Sequence, residues 1–66
     1  MFNAIVYGRN ITGKSFTEIK RKASVIANSF YNSFDKMEVS HDNKKFSFIR
    51  INKIYPNNII ERGLWR

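Results

Sequence analysis

The chain opens on a two-residue alternation. Phe2, Ala4 and Val6 share one side of an extended strand, Asn3, Ile5 and Tyr7 share the other, and Gly8 closes the run. Residues 2–7 therefore predict a strand with apolar character on both faces, central or buried in a sheet. The period then changes. Ser15-Phe16-Thr17-Glu18 is a capping box, in which the Ser15 hydroxyl accepts from the Glu18 backbone N–H and the Glu18 carboxylate reaches back to the N–H of Ser15. A helix should begin at Phe16. Wound at about 100° per residue, Phe16, Ile19, Ala23, Ile26, Ala27 and Phe30 occupy an arc of about 100°, the width of a core-facing stripe. The two alanines permit close approach to a sheet, and Asn28, Ser29, Asn32 and Ser33 have the low propensity of a fraying helix end.

Alternation returns after the helix. Met37 and Val39 interleave with Lys36, Glu38 and Ser40, His41-Asp42-Asn43-Lys44 supplies turn chemistry, and residues 46–54 resume a strand pattern, which together predict a hairpin. In its second arm Phe46 and Phe48 have one parity and Ile49 and Ile51 the other, implying a bulge near Phe48 or a strand covered on both faces. Tyr55-Pro56-Asn57-Asn58 reads as a turn, with Ile59-Ile60 long enough for a short C-terminal edge strand. The expected fold is α+β: one amphipathic helix packed on a small, mainly antiparallel sheet of three or four strands, in the order β-α-β-β.

Size constrains this picture. Residues 1–66 fit one small domain, too short for two lobes around a cleft. For such a chain apolar burial and the entropy of ordering roughly cancel. With no cysteine and one histidine the chain lacks disulfide or zinc staples, so a homodimer is expected, joined through sheet edges or the second sheet face. No apolar run is long enough for a membrane span, and residues 1–7 lack the basic and apolar segments of a signal peptide. The expectation is a cytoplasmic protein without membrane association.

Charge adds a partner. The net charge is +7, from 12 Lys and Arg against 5 Asp and Glu, which suits a phosphate-rich ligand. Genome composition is the competing source, since Asn, Ile and Lys, all with A/T-rich codons, make up 24 of 66 residues. The five arginines fit that source less well.

One motif carries a specific chemical implication. Residues 8–15, Gly8-Arg9-Asn10-Ile11-Thr12-Gly13-Lys14-Ser15, match the P-loop pattern between a predicted strand and a predicted helix. The chain is too short for the parallel βαβ units of such domains, Ile11 and Thr12 resist the positive φ of a phosphate nest, and no apolar strand ends in a Walker B aspartate. The segment reads as an ordinary strand-to-helix turn with Ser15 as N-cap, the alternative being a simple phosphate or nucleic-acid anchor at the helix N-terminus.

The remaining chemistry is sparse. Lys20, Arg21 and Lys22 spread around the helix cylinder and read as a solvated face. Lys44, Lys45, Arg50 and Lys53 interleave with Phe46 and Phe48 as in sheets that stack bases, although core packing under the helix also accounts for the phenylalanines. His41 beside Asp42 lacks the second acid or base of a nuclease, Val25 is an isolated apolar residue on the polar helix face, and Trp65 either docks on the core or meets a partner. The expected function is a small basic nucleic-acid-associated protein, non-enzymatic, with weak sequence preference and no cofactor or metal, of the size and composition of phage or mobile-element proteins. Its contacts would be Arg9, Lys14, Lys44, Lys45, Arg50 and Lys53 along one surface. The alternative is a homo-oligomeric interaction module whose charge reflects an A/T-rich genome.

Overall fold

The computed structural model describes residues 1–66. Strand β1 (Phe2–Val6) is central, as its apolar character on both faces implies, with β2 (Arg9–Gly13) on one side and β3 (Phe34–His41) on the other. Strand β4 (Lys44–Ile51) pairs with β3, completing an antiparallel sheet of order β2-β1-β3-β4. Helix α1 (Phe16–Ala27) lies across one face. The fold is α+β with four strands, and the order is β-β-α-β-β because a strand occupies the segment expected to turn directly into the helix.

That correction has a local cause. Tyr7 and Gly8 both take positive φ, 50° and 76°, forming a two-residue turn whose twist suits a hairpin. Val6 pairs with Arg9 and Phe2 with Gly13 across it, so residues 9–13 align along β1 instead of curling around an anion. The capping box forms with one change. The Glu18 N–H donates to Ser15 Oγ at 3.2 Å, but the Glu18 carboxylate accepts from Lys14 N–H at 2.7 Å, one residue before the expected donor.

Helix α1 buries Ile19, Ala23 and Ala27 against Ala4, Val6, Met37 and Val39, with Phe2, Ile11, Phe16, Ile26 and Phe48 packed around them. The alanines let the helix approach the sheet, as the stripe predicts. The helix ends at Ala27, before Phe30, whose ring instead stacks on Tyr7 at 4.2 Å between centroids. The predicted turn at residues 41–44 tightens to Asp42-Asn43, with φ of 50° and 62°, and His41 becomes the last residue of β3.

Pairing of β3 with β4 runs without interruption from Phe34↔Ile51 to His41↔Lys44, so there is no bulge at Phe48. Nor is β4 covered on both sides. Phe46 and Phe48 face the helix layer, whereas Ile49 and Ile51 lie on the bare face with Phe34 and Ile5. The C-terminal residues close the β4 edge: Arg66 and Ile49 exchange both backbone hydrogen bonds at 2.9 Å. Gly63 is needed there, since a Cβ would lie 2.1 Å from the Ile51 carbonyl oxygen. Trp65 docks, 8% exposed, with its indole N–H on Ser24 Oγ at 3.0 Å. The predicted edge strand forms as β6 (Ile60–Glu61) but pairs with β5 (Lys53–Ile54) in a separate ribbon.

Candidate nucleic-acid interface

The strand register distributes the six predicted contacts between two ends of the sheet. Gly13 pairs with Phe2, Asn3 with Ser40, and His41 with Lys44, so Lys14, Phe2, His41 and Lys44 lie along one end, with Lys45 beside them on the bare face. Lys14, Lys44 and Lys45 are all exposed. Arg9 is exposed at the opposite end of β2, four residues and roughly 13 Å of strand from Gly13. Lys53 is exposed on the separate ribbon, opposite Glu61. The six do not line one surface; three of them share one end of the sheet, Lys44 and Lys45 on the β4 edge and Lys14 beyond the β2 edge, roughly 14 Å across.

Arg50 is the plain correction. It is 3% exposed, and its Nε and Nη2 donate to Asp35 Oδ2 at 2.9 and 2.8 Å, with Nη2 also 3.2 Å from Asn28 Oδ1. The Trp65 ring lies 5.0 Å from its guanidinium carbon. A guanidinium committed to a buried carboxylate and covered by an indole is not available to phosphate. Its partner is a residue that sequence reasoning missed. Asp35 is 1% exposed and accepts from the Tyr7 hydroxyl and from Asn52 Nδ2 at 2.7 Å in addition to Arg50.

Asn52 extends this network, donating to the Asn32 carbonyl at 3.1 Å and accepting from Gly63 N–H at 2.9 Å. The Tyr7 hydroxyl accepts from Asn32 Nδ2 at 2.9 Å. No buried side-chain nitrogen or oxygen lacks a partner. Burial pushes the Asp35 carboxyl up, but the hydrogen bonds from Tyr7, Asn52 and Arg50 outweigh it and hold the group below the usual aspartate value. Burial and the bond to Asp35 together raise the Tyr7 phenol above its ordinary value. The network ties the first hairpin, the helix end, β3, β4 and the C-terminal segment to one carboxylate. Its signal in the sequence is parity: Asp35 alternates with Met37 and Val39, and Arg50 with Phe46 and Phe48, placing opposite charges at inward positions of adjacent strands.

The other end has a different chemistry. Phe2 stacks on His41 with ring centroids 3.9 Å apart and planes 7° from parallel, and meets the edge of Phe16 at 6.3 Å. Phe16 packs on Phe48 at 4.6 Å, while Lys20 Nζ sits 4.8 Å above the Phe16 ring. The helix cluster is therefore divided. Lys22 is held by the Thr12 carbonyl at 2.7 Å and by Glu18 at 3.5 Å, whereas Lys20 sits on the aromatic side. A surface hollow of about 530 Å³, lined in part by Asn3, His41, Asn43, Lys44 and Lys45, adjoins this end.

The acidic residues are largely occupied. Asp35 pairs with Arg50, Glu18 with Lys22, Glu38 with Lys36 at 3.5 Å, and Asp42 with His41 at 3.2 Å, while Glu61 accepts from the Tyr55 hydroxyl at 2.7 Å. The excess positive charge resides on side chains such as Lys14, Lys44 and Lys45, which have no carboxylate partner. No helix is long and apolar enough to cross a membrane. Comparison of the chain with protein-family models, curated proteins and solved structures gives no match, so a functional reading rests on the residues themselves.

Proposed function

We propose that the protein is a small basic nucleic-acid-binding protein that holds the phosphate backbone with Lys14, Lys44 and Lys45 and acts without catalysis. The observation that carries this reading is that these three exposed lysines lie at the same end of the sheet, beside aromatic side chains, and that none of them forms a salt bridge. Backbone contacts of this kind give affinity without sequence readout, so preference among sequences should be weak. Losing Arg50 from the predicted set, and separating Arg9 and Lys53 from it, lowers the expected number of neutralised phosphates.

With about three or four phosphates contacted, log K should fall against log salt with a slope of about −2.7 to −3.6 on duplex DNA, or about −2.1 to −2.8 on single strands. Fluorescence-anisotropy titration at several salt concentrations measures it. Replacing Lys44 and Lys45 together by alanine should reduce the magnitude of the slope by up to about 2. Absence of binding by micromolar protein at about 50 mM salt, where such contacts are strong, would count decisively against this function.

A second reading, a homo-oligomeric interaction module with composition-driven charge, draws on the bare sheet face. There Phe34 is 51%, Ile49 40% and Ile51 68% exposed. A second copy packed on this face would supply the missing layer. Sedimentation of wild-type and Ile51→Lys protein checks it, the expected result being a dimer that the lysine converts to monomer.

A further inference from the structure

We propose that the basic end takes unpaired nucleic acid, with one base stacked on the ring of Phe46 and the flanking phosphates met by Lys44 and Lys20. The inference rests on the nucleic-acid reading above and adds the class of ligand. It starts from a difference among the phenylalanines between the helix and the inner sheet face. Phe2, Phe16 and Phe48 pack against the core and pair with other rings. Phe46 belongs to neither set and is 45% exposed. It points inward by register, opposite buried Val39, yet it forms no ring pair and remains half open to solvent.

The surroundings of this ring suit a nucleotide. Lys44 precedes it by two residues and shares its face, and Phe48 follows it by two residues on the same face. Phe48 carries Phe16, which carries the Lys20 ammonium. An open aromatic face thus has a cation on the hairpin side and another on the helix side. The nearest acid in sequence, Asp42, lies in the turn and is engaged with His41. Phosphate on either side of a stacked base would meet complementary charge.

This arrangement discriminates between strands. In a duplex both faces of each internal base are already stacked, and opening a step for an aromatic ring costs a few kcal/mol. A single strand presents its bases without that cost, and every base has a face to offer, so stacking brings affinity without sequence readout. Phosphate contact alone predicts no such preference for single strands, given the higher charge density of duplex DNA.

The test is an anisotropy titration of the full chain with labelled oligothymidylate and with a mixed-sequence duplex of equal length, in wild type and Phe46→Leu. Leucine keeps the apolar bulk and removes the aromatic face, and far-UV circular dichroism verifies the fold. Oligothymidylate should bind about tenfold more tightly than duplex, and Phe46→Leu should lose about tenfold on oligothymidylate with the salt slope unchanged. Phe46→Tyr should retain wild-type affinity, which separates stacking from side-chain size. If both ligands bind wild type but Phe46→Leu matches it on oligothymidylate, stacking is overturned and the backbone-binding reading stands. If neither ligand binds, both fall together.

Discussion

The two ends of the sheet use polar residues in opposite ways. At the Asp35 end, one carboxylate gathers Tyr7, Arg50 and Asn52, the guanidinium is nearly sealed from solvent, and the network joins elements far apart in the chain. At the Lys44 end, the cations lie outside the packed layer, and the ring contacts beneath them include Phe2 on His41 and Phe16 on Phe48. Both ends contribute basic residues to the composition. Arg50 is committed to a buried carboxylate, whereas Lys44 and Lys45 are exposed without a salt bridge. A count of lysines and arginines therefore overstates a binding surface whenever strand parity turns one of them inward.

The largest expected consequence is at the Asp35 end. Arg50→Ala leaves a buried carboxylate without its counter-charge and should cost about 3–5 kcal/mol. A chain of this size has a total stability of roughly 3–10 kcal/mol, so the variant should be substantially unfolded or close to it. Lys44→Ala at the other end should stay within about 0.5 kcal/mol of wild type, since an exposed charge without a partner contributes little. Urea unfolding of the pair breaks the comparison if the two variants cost the same.

Acid should act through the same carboxylate. The folded-state value of Asp35 lies below that of the unfolded chain, so at neutral pH its ionised form adds stability in full. As pH falls below about 4, the unfolded chain takes up the proton first, and stability declines toward the folded-state value. The slope in this window should be steeper for wild type than for Asp35→Asn, provided the asparagine variant remains folded. Equal slopes would assign the acid sensitivity to other carboxylates.

The contrast between the ends also explains what could be read from the sequence. Local signals were legible: Ser15 and Glu18 mark the helix start, the apolar stripe through Ile19, Ala23 and Ala27 marks its buried face, and alternation around Met37 and Val39 marks β3. Strand β2 escapes a sequence reading because Arg9-Asn10-Ile11-Thr12-Gly13 has only one large apolar residue. At a sheet edge that is enough, since Ile11 packs against the core while Asn10 and Thr12 remain exposed. The turn signal is present at Gly8, but Tyr7 in the left-handed region is not a residue type that advertises a hairpin.

The binding contacts were legible as a charge sign and less so as a place. Lys14, Lys44 and Lys45 fall at the same end of the sheet only once β1 is inserted between β2 and β3, an arrangement the sequence does not specify locally. Arg50 was legible in principle, through its parity with Phe46 and Phe48 and the matching inward position of Asp35. Phe46 and Phe48 look alike in the sequence because they share a strand face. They differ in cover, which depends on Phe16 at the start of the helix reaching one ring and leaving the other half open.

The smallest expected effect is the coupling between the two helix ends, and it sharpens the comparison most. Ser15 caps the helix beside the lysine-rich end with one hydrogen bond to the Glu18 N–H, and the Glu18 carboxylate independently occupies the Lys14 N–H. Ser15→Ala should therefore cost about 1 kcal/mol, the usual value of a single cap, and leave the rest of the helix start intact. The Asp35 network engages the helix at its other end, through Asn28, and shares no partner with Ser15. Combined with Tyr55→Phe, which removes a solvent-exposed bond to Glu61 on the separate ribbon, Ser15→Ala should show additive losses within about 0.5 kcal/mol. Combined with Asn28→Ala, which removes one acceptor of Arg50, it should again be additive, because the two helix termini anchor to different elements. Chemical denaturation of the single and double variants decides this. A coupling well above about 0.5 kcal/mol would mean that the two ends of the molecule act as one cooperative unit through the helix.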